Sequence, residues 1–378
     1  MFPILHNIEQ ILPTLSGRTD FLLKTNHTLN ITAIDYIYTL PDSFDCFLRR
    51  ECRGIKFNST TGKLLARPFH KFFNLGEKPE TQPDQLDLSL PHTVMTKLDG
   101  SMVHPCVLPG TDQLIFMTRA GKTDIADKAL ELAETIPNLL DFCRFHLSHH
   151  QTPIFEYTAP DNRIVLAYPH PELTLLALRD NLTGSYLHLN KLENLPVPLT
   201  SHHETILDLA HFTTTTRALK NSEGFVIRFE SGLTIKLKAD DYVLRHRAKD
   251  KLQLEKNALR IVLENADDDL LPLLPPQDAA ALKAYAADVR KALTLLIENA
   301  KTTLATLNLP DRKSVAIAIK GYPQIQQILI FNILSTNNPL ATLTDYLIKK
   351  TSSGPRIEAI RAEVGLPAWS SYWQTREE

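Results

Sequence analysis

Cysteine, tryptophan and glycine are scarce in this 378-residue chain, at four, two and thirteen residues. Cys46, Cys52, Cys106 and Cys143 form no CxxC pair and no regular spacing. That argues against a disulfide scaffold or a thiolate zinc site and for reduced, mostly buried thiols. No GxxxxGK[ST] occurs, so a P-loop domain is absent, and there is no HExxH. His146, His149 and His150 cluster, as do His202 and His203, but without cysteine partners they do not read as a zinc site. Long apolar runs are also missing. The most apolar C-terminal stretch, Ile328 to Leu334, is seven residues and contains Asn332, against the ~20 needed to span a bilayer. The start, Met1-Phe2-Pro3-Ile4-Leu5-His6, lacks the basic and apolar regions of a signal peptide. These absences predict a cytoplasmic protein with no membrane role, in which the Asn-x-Ser/Thr triplets at Asn26, Asn30, Asn58 and Asn181 are chance matches. An excess of one charge is lacking too: 41 basic and 43 acidic residues leave a net −2. Any phosphate-binding charge must then be gathered in a local groove.

The halves of the chain differ in period. Up to about residue 245 short strands are broken by turn residues, as in Arg53–Phe57, Thr93–Leu98, Leu114–Thr118, Ile154–Tyr157, Arg163–Tyr168 and Leu173–Leu178. The clearest hairpin joins Gly224–Phe229 to Leu233–Lys238 through Glu230-Ser231-Gly232. One helix interrupts this region, with Thr123 and Asp124 at its cap and Ile125–Leu132 at helical spacing. From Lys249 the period becomes helical: Leu252, Leu259, Val262 and Leu263 share a face, and Ala279–Leu304 forms a longer helix. Val315–Ile319, Ile325–Leu334, Leu340–Ile348 and Ile357–Val364 predict further helices, while Asp267–Asp269 and the prolines after it read as a solvated loop. The expected architecture is α+β: an antiparallel-sheet domain over 1–247 followed by an all-helical domain over 248–378.

The chemistry starts at Lys97-Leu98-Asp99-Gly100-Ser101. A lysine before a sharp Asp-Gly turn becomes a nucleophile if its pKa falls, and neighbouring cations lower it. Alternation along Leu233-Thr234-Ile235-Lys236-Leu237-Lys238 puts Lys236 and Lys238 on one face, and Leu233, Ile235 and Leu237 on the other. Glu223 opens the partner strand beside an apolar run, and Glu156 lies within Ile154-Phe155-Glu156-Tyr157. Buried acids need partners, so Glu156, Glu223 and Asp99 are candidates for holding a magnesium ion. Upstream, Arg53-Gly54-Ile55-Lys56-Phe57 and Arg67-Pro68-Phe69-His70-Lys71-Phe72-Phe73-Asn74 interleave cations with aromatics, a composition suited to phosphates and a stacked base.

In order, these elements resemble the covalent nucleotidyltransferases (DNA ligases, RNA ligases and mRNA capping enzymes). Arg53-Gly54, RPFHKFFNLGE, KLDGS, FEYTAPDNRIVLAYP, EGFVIRF and IKLK are most similar to the bacteriophage-type RNA ligase 1 family, over roughly residues 35–247. The resemblance implies an ATP-dependent RNA ligase joining 5′-phosphate and 3′-hydroxyl RNA ends, with nicked tRNA among its candidate substrates and RNA repair its setting. It implies ATP and Mg2+ (or Mn2+) as cofactors and a monomer. By resemblance Lys97 becomes the AMP-carrying nucleophile, and Lys236 and Lys238 bind the α-phosphate and keep Lys97 neutral. Glu156 and Glu223 act on the metal through water. Arg53 and Lys71 orient the outer phosphates, and Phe73 lies near the nucleotide. Tyr36, with Tyr38 as its register alternative, contacts the triphosphate. Asp99, Gly100 and Tyr242 complete the nucleotide site, as does Arg119, which stands where the family pattern leads us to expect lysine. Two other readings remain: a DNA ligase or capping enzyme, disfavoured by the missing strand-rich C-terminal segment, and a non-catalytic nucleic-acid-binding relative.

Overall fold

The computed structural model describes residues 2–189, 192–335, 338–351 and 357–369. The chain divides into one compact unit up to Val243 and a second from Leu244.

The first unit carries thirteen strands among the described residues. They are β1 (Phe21–Asn26), β2 (Ile31–Tyr36), β3 (Ile55–Asn58), β4 (Leu64–Ala66), β5 (Phe73–Asn74), β6 (His92–Thr96) and β7 (Ser101–Val107). The series continues with β8 (Leu114–Met117), β9 (Gln151–Thr158), β10 (Glu172–Asp180), β11 (His202–His203), β12 (Gly224–Phe229) and β13 (Thr234–Lys238). They form three sheets, ordered β1-β2-β3-β4, β10-β9-β7-β8 and β11-β6-β12-β13-β5. All pairings are antiparallel except β13 with β5, which sets Ile235 against Phe73 and Lys236 against Asn74.

The third sheet positions the chemistry. Ile227, Ile235 and Val94 are buried together in one core cluster, while Lys236 and Lys238 stay partly exposed on the other face. The hairpin register pairs Gly224 with Lys238 and Val226 with Lys236. Glycine is required at the first of these pairs. Gly224 has φ +125°, and a Cβ there would sit 2.1 Å from the Leu237 carbonyl oxygen.

Several expectations are corrected. Arg163–Tyr168 is not a strand; its backbone donors at Val165 and Leu166 are spent on the Asp99 carboxylate, 2.7 and 2.6 Å away. Two ten-residue helices in the first unit were not foreseen. Leu139–Ser148 starts from Asn138 at φ 63° with no side-chain cap. Leu209–Ala218 carries a threonine run of weak helix propensity and is capped by Asp208, which accepts from His211 N. Thr123 caps the helix Asp124–Thr135, so Asp124 is its first residue.

The second unit is helical, as expected. Its core gathers Leu259, Val262, Leu282, Val289, Leu329, Leu343 and Ile360 from successive helices. The face running through Leu252 to Leu263 is split between Asp240–Leu252 and Glu255–Leu263. The long helix spans Pro276–Leu307. Asp267 is not in a solvated loop. It opens a short helix, is buried, and receives both Arg290 guanidinium nitrogens at 2.7 and 3.1 Å. No helix among the described residues is long and apolar enough to cross a membrane.

Candidate active site

Lys97 follows directly on β6, and its amide donates to the Gly224 carbonyl at 2.9 Å, which extends the β6–β12 ladder by one bond. That bond brings its side chain to Glu223. The Lys97 Nζ lies 2.9 Å from Glu223 Oε1, and Lys238 Nζ reaches the same oxygen at 2.9 Å. Burial alone would raise the Glu223 carboxyl, but the two ammonium groups hold it below the usual range. Burial alone would also depress Lys97, yet Glu223 and Glu156 outweigh it and hold the ammonium above its ordinary value. In the nucleotide-free protein the acids beside Lys97 therefore favour its ammonium form. The acids are closer to it than the sequence revealed.

Glu156 projects from β9, is buried, and accepts the Gly100 amide at 2.9 Å. Burial first, then the nearby Glu223 and Asp99, push it up to about 7 against the pull of Lys97 and the Gly100 amide. Gly100 is packed against this strand: a Cβ would stand 2.4 Å from the Tyr157 carbonyl oxygen and 3.0 Å from Glu156 Cγ.

Asp99 does not join the two acids as a free ligand. Its Oδ1 accepts the Tyr242 hydroxyl at 2.6 Å, and its Oδ2 accepts the Val165 and Leu166 amides. Its own amide donates to the Tyr168 hydroxyl at 3.0 Å. Asp99 thus fastens the Lys97 turn to the 162–168 segment and to Tyr242, whose ring lies 4.9 Å from Lys238 Nζ. Among the described residues no group of three or more His, Cys, Asp or Glu is gathered to hold a metal. The buried pair Glu156 and Glu223 suits a hydrated cation that arrives with phosphate oxygens, because magnesium keeps most of its waters and needs few protein carboxylates.

A second set of cations flanks Lys97. The Lys236 side chain makes no hydrogen bond or ion pair with the described residues, and burial together with Lys71, Lys238 and Lys97 lowers it to about 7. Lys71 and Arg119 sit over the Tyr36 ring at 4.9 and 4.7 Å. Tyr36 is lowered because Arg53, Lys71 and Arg119 outweigh its burial. Tyr38 is exposed and bonded to Thr19, whereas Tyr36 lies beneath Lys71 and Arg119. Arg119 is paired to Asp35 at 3.0 Å. Arg53 lies against Met102, with Nη1 3.6 Å from the sulfur. Phe73 is a core residue, 3% exposed, overlaid by Arg50, Lys78 and Lys71.

Three features escaped the sequence reading. Lys56 is fully buried, donates to the carbonyls of Gly54, Thr118 and Arg119, and is lowered by burial to about 8. It ties the Arg53 and Arg119 segments together. Tyr168 supports the Asp99 amide, although the aromatic at the end of NRIVLAY gave no sign of that role. Glu51 is buried and receives Arg67 Nε at 3.0 Å and Arg179 Nη2 at 2.9 Å.

A family model described as RNA ligase matches residues 51–251. A protein of Thermovibrio ammonificans bearing the name "Putative RNA ligase" is 34% identical over 273 residues, which cover 70% of this chain and 70% of that protein. The RNA ligase 1 of bacteriophage TS2126 is 29% identical over 163 residues, covering 41% of this chain and 40% of its own length. Among solved structures, an archaeal ATP-dependent RNA ligase superposes with a TM-score of 0.46 at 17% identity, covering 65% of this chain and 64% of its own. That likeness is too distant to carry an argument.

Proposed function

This chain belongs to the RNA ligase family of the bacteriophage RNA ligase 1 type, ATP-dependent enzymes of the nucleotidyltransferase superfamily, and from that membership we propose that Lys97 carries AMP covalently between two phosphoryl-transfer steps. The observation that carries the reading is the cluster of Lys97, Glu223 and Lys238 around one carboxylate oxygen, with unpaired Lys236 two residues along the same strand face.

In this reading the Lys97 amine attacks the α-phosphorus of ATP. A P–N bond forms, the bond to the β-phosphate oxygen breaks, and pyrophosphate leaves. AMP then passes to the 5′-phosphate of an RNA strand, and a 3′-hydroxyl displaces AMP to make the phosphodiester. Such transfers ask a protein mainly to position groups and offset charge. Lys236 and Lys238 meet the α-phosphate, while Arg53, Lys71 and Arg119 face the outer phosphates beside Tyr36. Glu223 anchors Lys97 in place and keeps its proton until the nucleotide arrives. Gly100 and Glu156 fix the turn, Asp99 and Tyr242 brace it from beneath, and Phe73 backs the cationic wall from the core. Magnesium or manganese, held through water by Glu156 and Glu223, would supply positive charge against both acids and the phosphates.

The family resemblance extends the proposal to repair of broken RNA, including nicked tRNA, by a cytoplasmic monomer, with the helical second unit contributing RNA preference. Incubation with α-labelled ATP and magnesium should label the protein, and Lys97→Ala should abolish the label. A labelled Lys97→Ala protein would overturn the assignment. Comparing single-stranded RNA, nicked DNA and triphosphate-ended RNA with GTP separates an RNA ligase from a DNA ligase or a capping enzyme.

A further inference from the structure

Arg228 stands on β12 two residues beyond Val226, and so projects from the same sheet face as Lys236. Its direct partner on β13 is Thr234, which makes Arg228 and Lys236 diagonal neighbours, a separation of about 7–8 Å in an antiparallel pair. The guanidinium lies over Tyr186, its Cζ 4.0 Å from the ring centroid, with Phe69 at 5.6 Å. Its Nε is enclosed and has no hydrogen-bond partner. No carboxylate among the described residues pairs with it.

The surroundings make this orphan charge stand out. Glu51, which pairs with the neighbouring Arg179, is already divided between Arg67 and Arg179. Arg179 adds positive charge beside Arg228. His70, bonded to the Tyr186 hydroxyl at 2.9 Å, is depressed by burial and then by Arg179, Arg228, Arg53 and Arg50. A partly desolvated guanidinium with no counter-charge is costly to hold. The Tyr186 contact leaves the in-plane N–H donors without a protein acceptor among the described residues, and a guanidinium's donor fork is suited to two phosphate oxygens. The ring contact therefore holds the side chain without satisfying it.

We propose that Arg228 binds a phosphate of the polynucleotide strand, beside the lysines that serve the nucleotide. The proposal rests on the RNA ligase reading above. A terminal 5′-phosphate and an internal phosphodiester share this chemistry, and the test separates them.

Binding of fluorescent decameric RNA, carrying a 5′-phosphate or a 5′-hydroxyl, is measured without ATP on the full chain and on Arg228→Gln and Arg228→Lys. Arg228→Gln should weaken at least one oligomer by about tenfold and reduce the slope of log affinity against log salt by about 0.7, the value of one single-strand phosphate contact. Arg228→Lys should retain part of the affinity. A loss confined to the 5′-phosphorylated oligomer assigns the terminal phosphate, and an equal loss in both assigns an internal one. Unchanged affinity for both oligomers overturns the proposal. If Arg228→Gln melts early, phenylglyoxal modification of the wild-type protein, mapped by peptide mass, decides: RNA should protect Arg228, and equal modification with and without RNA overturns it. The labelling assay on wild type is independent, so failure to form lysyl-AMP would count against the ligase reading and leave the binding result to be read alone.

Discussion

Lys97 Nζ stands 2.9 Å from Glu223 Oε1, so Lys97 rests as an anchored ammonium. Glu223 holds its charge and Lys97 holds its proton, each because of the other. A resting ion pair positions the amine but does not activate it. In the proposed reaction a divalent cation accompanying the nucleotide would compete with Lys97 for the Glu223 carboxylate and so loosen the proton, since the phosphates' own negative charge favours the ammonium.

Removing the Glu223 charge should free the proton. In Glu223→Gln, Lys97 loses the largest influence that raises it, so its reactivity towards an amine-directed acylating reagent should move to lower pH than in wild type. Competitive labelling across pH 6–11, read by peptide mass, checks this. An unshifted Lys97 profile would show that Glu223 does not control the proton. The signs of the linkage follow from the same pair. Lys97 is raised, so its contribution to stability is present below the ordinary lysine range and lost as pH rises through the folded value. Glu223 is lowered, so its contribution is present above the ordinary carboxylate range and lost as pH falls through its folded value.

Lys236 gives the opposite sign. Its value near 7 lies below that of an ordinary lysine, so between about 7 and the ordinary lysine value of about 10.4 the unfolded chain holds a proton that the folded chain does not, and stability rises with pH across that window. A triphosphate at this site should restore the proton. ATP binding at pH 8 should therefore be accompanied by proton uptake, seen as a dependence of the calorimetric enthalpy on buffer ionisation. Lys236→Ala should lose most of it.

What was legible in the sequence depended on distance along the chain. Lys236 and Lys238 lie on one strand of the hairpin, whose alternation puts them on a shared face, and Glu223 immediately precedes the partner strand. Strand periodicity therefore placed the two lysines, and Glu223 was legible only as the acid opening the apolar run. The fastening of Asp99 could not be read, because Val165, Leu166 and Tyr242 reach it across 66, 67 and 143 residues. The same backbone donors explain why the apolar Arg163–Tyr168 run is pinned as a loop. Glu51 was equally hidden, since Arg179 approaches it over 128 residues and nothing local distinguishes it from a surface acid.

That hidden acid has a measurable role. Glu51→Ala would leave Arg67 and Arg179 buried without their shared counter-charge, a type of loss that costs about 3–5 kcal/mol. For a unit of this size the melting temperature should fall by roughly 10 °C. Calorimetry on the full chain checks it. A fall under about 2 °C would show that the carbonyls on Arg67 and Arg179, from Pro3, Asn181, Leu182 and Gly184, suffice without the acid.

The brace beneath the nucleophile can be taken apart in two steps that separate charge from geometry. Tyr242→Phe removes a single donor from Asp99 Oδ1 and leaves the amides of Val165 and Leu166 on Oδ2, so it should cost about 1.5–3 kcal/mol, the range for a hydrogen bond to a charged group. Asp99→Asn keeps the shape but turns an amide N–H towards a donor already in place, either the Tyr242 hydroxyl or the backbone pair. That clash should release the Lys97 turn from the 162–168 segment. We expect the labelling rate with α-labelled ATP to fall further in Asp99→Asn than in Tyr242→Phe, by at least tenfold, at matched fractions folded. Equal rates in the two variants would show that loss of the Tyr242 bond accounts for the whole effect, and that neither the Asp99 charge nor its two backbone donors set the rate.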